Sequence, residues 1–296
     1  MWYHREGYVP ELAMWSGTVL NNGRRAFLSG QEPFAKAARQ AGLDLGPSDT
    51  QQEILKEAWH MFIAGWQKLS LVDYPDKVAC TLFTGGCNLR CPYCHNSELL
   101  DAQIPALHIP DILEYLRKRQ GILDGVVVSG GEPCMQPDLA DFLGELKQLG
   151  YLTKLDTNGC YPAVLQELLD KKLVDYVAMD IKNSPQGYAA ASGVEQVPLD
   201  LILQSLRLLF SHKTAFELRT TTVAQLHTKE RFQELQKAFL PLVEAYGRKI
   251  PAYYLQAFQD RDTVPFAGLS APTKEELEAY AQLLRPVADK VALRGV

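Results

Sequence analysis

Short apolar runs alternate with longer amphipathic stretches from about Lys77 to the end of this 296-residue chain. The alternation is typical of parallel β-strands that are each followed by a helix, so we expect an α/β fold. The runs predicted as strands cover residues 78–83, 126–128, 152–156, 176–182, 216–223 and 253–258, with a strand-like piece at 291–293. Right-handed crossovers allow a doubly wound sheet or a barrel, and six units are too few for an ordinary eight-stranded barrel.

The first 64 residues show no such alternation, although all four tryptophans occur by Trp66. A capping box at residues 50–53 opens a predicted amphipathic helix. We therefore expect a helical N-terminal extension, residues 1–64, to which the sequence gives no role, followed by a core domain of residues 65–296. An alternative is that translation starts at Met61, which mass spectrometry of the native N-terminus would decide.

Composition and charge exclude several classes of protein. The net charge of -5 gives no basic surface of the kind that binds nucleic acid. No apolar run approaches the roughly 18 residues that span a bilayer, and the first residues do not resemble a secretory signal. Six cysteines in such a chain indicate a reducing compartment, so we expect a cytoplasmic protein in which clustered thiols bind metal or do redox work.

Three cysteines lie close together directly after the first predicted strand. In the segment TGGCNLRCPYCHN, Cys87, Cys91 and Cys94 have C-x3-C-x2-C spacing. Three thiolates in one tight loop can hold a cubane iron–sulfur cluster, and three ligands for four irons leave one iron open. The motif therefore predicts a metal site with a vacant coordination position at the carboxyl end of a strand.

Other interpretations of the cysteines remain open at this point. A structural zinc site would use His95 as a fourth ligand, although such sites usually take paired ligands from two separate knuckles. Cys80 lies within a strand and is interpreted as a small buried apolar residue. Cys134 and Cys160 both follow strand ends, so a redox or auxiliary role for this pair is a second hypothesis.

The cysteine spacing, with the aromatic Tyr93 before the last cysteine, resembles the radical S-adenosylmethionine (SAM) superfamily. The resemblance covers residues 65–296 and implies a partial (β/α)6 TIM-like barrel, the radical SAM core. It also implies two cofactors, one [4Fe–4S] cluster and SAM, whose sulfonium is cleaved by one electron to a 5′-deoxyadenosyl radical. Tyr93 and the backbone around Cys94 and His95 would then lie near the adenine. For the His95 side chain, a histidine satisfied in the core or at the surface is favoured over a proton-transfer catalyst, because a lone histidine without a partner is weak evidence.

Polar residues at the ends of the later strands are candidates for holding SAM. Gly130, Gly131 and Glu132 resemble the GGEP motif of the family, in which adjacent glycines permit close backbone approach. Period-two alternation places the acid and the base of the MDIK segment on one face of a strand, and directs an arginine of the next strand inward. Together with the resemblance, these positions predict SAM contacts at Tyr93, Cys94, His95, Gly130, Gly131, Glu132, Asp156, Asp180, Lys182, Arg219 and Gln256. Alternatives remain for several of these positions. The two glycines could form only a turn, Asp180 and Lys182 could pair structurally, Asp156 could precede a simple Asn-Gly turn, and Gln256 could be hydrogen-bonded within the core.

The opening of the core, GWQKLSLVDYPDKVACTLFTGGCNLRCPYCHN, and the late KVALRG resemble the anaerobic ribonucleoside-triphosphate reductase activating proteins. These are similar to pyruvate formate-lyase activating enzymes. The resemblance implies an activase that forms a glycyl radical on a partner enzyme. Two long connections, residues 183–197 and 259–272, are expected to be docking loops or lids, or else plain variable surface.

No flavin or nicotinamide fingerprint follows any strand, so the electron must come from an external donor such as a flavodoxin or a ferredoxin. A radical SAM reaction on a small molecule or peptide, such as 7-carboxy-7-deazaguanine synthesis, is the alternative within enzymes. An iron–sulfur electron carrier or a zinc-stabilised interaction protein is the alternative outside them. An electron carrier would ligate every iron with protein groups, which three cysteines do not.

Overall fold

The computed structural model describes residues 18–21, 24–27, 59–100 and 104–296. The chain divides into two compact units, Met1–Trp59 and His60–Val296. In the first unit, strands β1 (Thr18–Asn21) and β2 (Arg24–Phe27) pair in antiparallel fashion. This pair was not expected from the sequence, although the Asn-Gly dipeptide between the two strands is a common hairpin signal. The helix expected from residue 50 lies outside the described residues.

The second unit contains an eight-stranded sheet with the order β10-β9-β8-β7-β6-β5-β4-β3. Its first strand, β3, is antiparallel to β4, and the strands from β4 to β10 are all parallel. The strands are β3 (Ile63–Ser70), β4 (Ala79–Thr84), β5 (Gly125–Gly130), β6 (Leu152–Thr157), β7 (Tyr176–Asp180), β8 (Ala215–Thr222), β9 (Ile250–Ala257) and β10 (Ala288–Arg294). Within the described part of the chain β3 and β10 do not pair, so the parallel strands form a partial barrel.

Each pair of successive parallel strands is joined through at least one helix. The helices are α1 (Ile109–Arg117), α2 (Leu139–Gln148), α3 (Pro162–Asp170), α4 (Tyr188–Ser192), α5 (Leu199–Ser211), α6 (Lys229–Tyr246) and α7 (Lys274–Leu284). Their apolar faces pack against the sheet; in α2, for example, Leu139, Phe142 and Leu146 are buried. None of the helices in these ranges is long and apolar enough to cross a membrane.

The expected α/β partial barrel is confirmed. All six predicted strands occur, and the strand-like piece at 291–293 belongs to a full seventh parallel strand, β10. Strand β3 was missed because it lies at the sheet edge. Three consecutive residues of β3, from Gln67 to Leu69, are exposed, so the sequence there shows no regular alternation.

The inner face of the barrel carries polar and charged side chains rather than an apolar core. Thr81, Lys154 and Glu217 point from β4, β6 and β8 and are almost fully buried. In contrast, Val126 to Val128 of β5 are buried throughout, as expected for a strand covered on both faces. The polar interior leads to the carboxyl ends of the strands, where ligands of such sheets bind.

Candidate active site

A cavity of about 490 Å³ lies at the carboxyl ends of the parallel strands. Every residue that the sequence predicted for the cluster or for SAM lines it: Cys87, Cys91, Tyr93, Cys94, His95, Gly130, Gly131, Glu132, Asp156, Asp180, Lys182, Arg219 and Gln256. The fold therefore brings together predicted residues that are up to 169 positions apart in the sequence, from Cys87 to Gln256.

The cysteine loop after β4 is held in place by backbone hydrogen bonds. The N–H of Cys94 donates to the carbonyl of Cys91 at 3.1 Å, and the N–H of Leu89 donates to Sγ of Cys87 at 3.4 Å. Arg90, within the loop, donates from its N–H at 2.8 Å to the carbonyl of Ser192, which lies outside the loop at the end of α4. These bonds fix the loop so that its thiols line one cavity.

The donor set of this loop fits an iron–sulfur cluster. It offers three soft sulfur ligands, and burial raises the pKa of all three thiols, that of Cys91 to about 11. Tyr93 beside them is buried, and its hydroxyl has no hydrogen-bond partner, which leaves a polar atom for a bound group. In the described ranges no three Cys, His, Asp or Glu side chains converge on a point that would suit a single metal ion.

His95 does not support the zinc alternative. Its Nε2 lies 2.7 Å from the carbonyl oxygen of Gln259, and its ring stacks on Phe258 with centroids 5.6 Å apart. The imidazole thus ties the cysteine loop to the segment that follows β9. Thr263 of the same segment donates from Oγ1 to the carbonyl of His95 at 2.8 Å and also accepts a short hydrogen bond from Ser97.

Both long connections expected as lids or docking loops contact the cysteine loop. The connection 183–197 contains α4, whose Ser192 accepts the bond from Arg90. The connection 259–272 is bonded through Thr263, and its Arg261 lines the cavity. Their role as lids stays a prediction.

Gly131 packs directly against the start of the cysteine loop. The N–H of Gly131 donates to the carbonyl of Thr84 at 2.8 Å, and that of Glu132 donates to the carbonyl of Gly86 at 2.8 Å. A Cβ atom on Gly131 would lie 2.0 Å from the carbonyl oxygen of Gly86. Gly130 has a φ of 113°, a conformation that favours glycine. The two glycines therefore let the β5 turn and the cysteine loop approach each other.

A pair of glycine substitutions tests this packing. Gly131→Ala is expected to push the cysteine loop aside, to cost about 1–3 kcal/mol of unfolding free energy, and to lower the iron bound after anaerobic reconstitution. Gly144→Ala is the matched control, because a Cβ there meets nothing within 4 Å and the helix α2 should gain about 0.5–1 kcal/mol. Equal iron content and stability in the two variants would contradict the account.

Glu132 is fully buried, and its carboxylate accepts three hydrogen bonds from the protein itself. The N–H of Cys134 and Oγ1 of Thr157 donate to Oε1 at 3.0 and 2.7 Å, and the N–H of Asn158 donates to Oε2 at 2.7 Å. Burial raises the pKa of this carboxyl above its ordinary value, and the hydrogen bonds, which act in the opposite direction, offset only part of that rise. The side chain thus joins the ends of β5 and β6, with remaining acceptor capacity on Oε2.

A chain of five alternating charges crosses the barrel. Lys154 makes a short ion pair with Asp156, and Asp156 accepts from Arg219 at 3.2 Å. Nε of Arg219 donates to Asp180 at 2.9 Å, and Lys182 lies 3.1 Å from the same carboxylate. The three cations and two anions of this ion-paired series add up to a formal charge of +1. Its two cations that line the cavity, Lys182 and Arg219, suit an anionic group such as a ligand carboxylate.

The pairing keeps these groups charged. Burial raises the pKa of Asp180, but Arg219 and Lys182 outweigh it and lower that pKa to about 2. For Asp156 burial also opposes ionisation, while Arg219 and Lys154 lower its pKa. Burial lowers the pKa of Lys182, yet Asp180 raises it well above its ordinary value. All three groups are therefore ionised near neutral pH.

Acid stability is expected to depend on Asp180. Its pKa is about 2 in the folded protein and about 3.9 in an unfolded chain, so between these values the unfolded chain binds more protons. The free energy of unfolding must then fall as the pH falls from about 4 to about 2. Asp180→Asn should reduce this slope by up to about 1.4 kcal/mol per pH unit. Urea unfolding at a series of acidic pH values measures it, and an unchanged slope would contradict the pairing.

Two residues that contact the cavity wall from behind, Lys154 and His227, were not predicted. Lys154 was missed because a lysine within a strand gives no sign of facing inward to a carboxylate. His227 follows β8 and donates from Nε2 to the carbonyl of Lys182 at 2.8 Å, while its Nδ1 accepts from the N–H of Val223. Its ring meets that of Tyr93 edge-on, and burial lowers its pKa. A lone histidine carries no sequence signal that it contacts the backbone of Lys182 and the ring of Tyr93.

The comparison with known proteins agrees with this geometry. Residues 81–239, more than half of the chain, match the family model of the radical SAM superfamily. The chain belongs to the radical SAM superfamily. Proteins of this family use a [4Fe–4S] cluster and SAM, and the three thiols and the charged cavity of this chain fit both.

The relatives include proteins that are named as activating enzymes. A provisionally named glycyl-radical enzyme activating enzyme from Methanocaldococcus jannaschii is 29 % identical over 79 % of this chain and 96 % of its own length. Pyruvate formate-lyase-activating enzymes are 33 % identical in Clostridium pasteurianum and 37 % in Staphylococcus aureus. Those two matches cover 47 % and 40 % of this chain, and the chain spans only 60 % and 51 % of their lengths.

Solved structures of low sequence identity share the fold. SuiB from Streptococcus suis, bound to the precursor peptide SuiA, has a TM-score of 0.58 at 14 % identity, over 96 % of this chain and 59 % of that one. TYW1 with a lysine-pyruvate adduct has a TM-score of 0.54 at 14 % identity, over 83 % and 91 % of the two chains. These likenesses support the radical SAM core architecture.

Proposed function

We propose that this protein is an activase that cleaves SAM reductively and forms a glycyl radical on a partner enzyme, anaerobic ribonucleoside-triphosphate reductase. The observation that carries the proposal is the match to a glycyl-radical enzyme activating enzyme over 79 % of the chain. The motif GWQKLSLVDYPDK and the late KVALRG favour a reductase as the partner.

In this proposal Cys87, Cys91 and Cys94 hold the cluster. When bound, the cluster and SAM supply the one-electron cleavage that yields a 5′-deoxyadenosyl radical. The protein's own task is to position and to exclude water, so no side chain is assigned as a general base. The remaining predicted contacts, Tyr93, His95, Gly130, Gly131, Glu132, Asp156, Asp180, Lys182, Arg219 and Gln256, hold SAM in the cavity.

The charged chain of the barrel gives some of these residues distinct tasks. We expect Lys182 and Arg219 to face the carboxylate of SAM, because both cations line the cavity. Asp156 and Asp180 hold those cations in place through the ion pairs described above. Glu132, whose carboxylate joins two strand ends, positions the glycine turn and retains one acceptor site for the amino group.

The open side of the barrel offers a route for a protein substrate. The cavity wall includes Asp73 and Phe83 near one sheet edge and Gln256 and Arg261 near the other. A glycine-containing loop of the partner could therefore enter between the edges while the ends of the strands enclose SAM. Asp73 is bonded to Oγ1 of Thr81 at 2.7 Å, which fixes one carboxylate at this entrance.

Anaerobic reconstitution with iron, sulfide, SAM and dithionite tests the proposal. With the purified anaerobic reductase present, we expect 5′-deoxyadenosine and the electron-spin doublet of a glycyl radical. A reductase whose radical-bearing glycine is replaced by alanine is the matched control, and it should give no doublet. Deoxyadenosine without any protein radical would refute the activase and favour a small-molecule or peptide substrate.

A further inference from the structure

A groove of about 630 Å³ runs along the outside of α3 and α5, apart from the cavity that holds the predicted SAM contacts. Its wall includes Cys160, Tyr161, Leu201, Gln204, Arg207 and Tyr246. Leu201 and Tyr246 are 39 % and 37 % exposed, which is high for large apolar side chains. The chemistry proposed for the cavity makes no use of this groove.

Two polar contacts connect the groove with Cys87, a proposed cluster ligand. Nδ2 of Asn158 lies 4.0 Å from Sγ of Cys87, and Oδ1 of Asn158 accepts from the N–H of Cys160 at 3.0 Å. Cys160 forms part of the groove wall. Cys160 is itself buried, so the path from the groove wall to the cluster site passes through two residues, Cys160 and Asn158, over contacts of 3.0 and 4.0 Å. Electron transfer depends steeply on such distances.

The groove carries unbalanced positive charge. Among the described residues that form its wall, Arg207 is the one charged side chain. None of the ion pairs between described residues involves Arg207. The first turn of α3, from Pro162, adds partial positive charge from its backbone N–H groups. A cation beside apolar Leu201 and Tyr246 complements an acidic protein surface that surrounds an apolar redox group.

We infer that this groove docks an acidic one-electron carrier protein that reduces the cluster through the path at Asn158 and Cys160. The inference rests on the proposed function, which requires an external reductant. In the transfer the reduced carrier loses one electron and the cluster gains it, and no covalent bond forms or breaks. Electron-transfer encounters are weak and bury small interfaces, which agrees with a groove built around a single cation.

The test uses reconstituted holoenzyme with photoreduced flavodoxin, and separately with a photoreduced ferredoxin, as probes. Stopped-flow absorbance gives the rate of cluster reduction, and surface plasmon resonance gives the Kd of the carrier. Dithionite, a small reductant that needs no docking, gives the reference rate for each variant. Arg207→Glu should weaken carrier binding about fivefold and lower the carrier-to-dithionite ratio similarly. The effect should disappear at high salt.

Gln204→Glu is a second variant that adds negative charge without removing the cation, and it should act in the same direction. Arg117→Glu at the exposed end of α1 is the matched control and should change neither quantity. An unchanged ratio and Kd in both groove variants would overturn the inference. A variant with an incompletely assembled cluster loses signal in both reductions in the same proportion, so the ratio still decides, and the Kd is measured independently of the rates. Glycyl-radical formation with dithionite is independent of docking, so the failure of this inference can be told apart from failure of the proposed function.

Discussion

Cys91→Ser is expected to reduce the iron bound after anaerobic reconstitution from about four atoms per chain to nearly none. Cys91 is the central ligand of the motif and is buried. The cysteines that line the cavity are Cys87, Cys91 and Cys94, so its wall holds no further thiol that could replace Cys91. A serine hydroxyl is a hard, weakly acidic donor that iron–sulfur clusters bind poorly. Deoxyadenosine formation should fall to the background. Iron and sulfide analysis with chromatography of the nucleoside products measures both quantities.

Cys134→Ser is the matched control for that change. Cys134 is also buried, but its Sγ lies 3.6 Å from Oγ1 of Thr157, and a serine can keep that contact. Iron content and activity should therefore be retained. Full iron in Cys91→Ser would contradict the assignment of the cluster, and loss of iron in Cys134→Ser would instead support the redox hypothesis for Cys134 and Cys160.

Arg219→Met is expected to destabilise the apoprotein by about 3 kcal/mol. The guanidinium is 14 % exposed and lies between Asp156 and Asp180, so its loss leaves two carboxylates in a buried site without their shared partner. Arg219→Lys keeps one charge but cannot bridge both acids, and it should recover only part of the stability. Urea unfolding followed by circular dichroism measures the difference, and calorimetry of the holoenzyme should show weaker SAM binding.

Lys118→Met is the control for an ion pair at the surface. Lys118 lies 2.6 Å from Glu114 on α1, with both side chains more than half exposed. Such pairs contribute about 0.5 kcal/mol or less. A loss in Arg219→Met no larger than that in Lys118→Met would show that the charged chain of the barrel is not a structural element.

The parallel strands could be predicted because sheets covered on both faces leave uninterrupted apolar runs. Val126 to Val128 are an example, since they are completely buried between the barrel interior and the outer helices. Strand β3 could not be predicted in the same way, because an edge strand keeps exposed polar residues such as Lys68. The β1–β2 pair could have been predicted from the Asn-Gly dipeptide between its strands, which is a common hairpin signal.

The site itself was predictable where its residues follow strands. Cys87, Gly131 and Asp180 stand at or near strand ends, and parallel strands bring their carboxyl ends to one edge. The partners inside the site were not predictable. Nothing in the sequence relates Lys154 to Asp156 as an inward ion pair, or Glu132 to the backbone of Asn158, because these contacts depend on register and side-chain direction across strands.

The central claim is that three cysteine ligands leave one iron of the cluster open to SAM. The electron-spin spectrum of the dithionite-reduced, anaerobically reconstituted protein tests it most directly, when recorded before and after addition of saturating SAM. We expect a reduced [4Fe–4S] signal whose shape and g-values change on adding SAM. A protein that binds zinc in place of iron, or a cluster signal that SAM leaves unaltered, would contradict it.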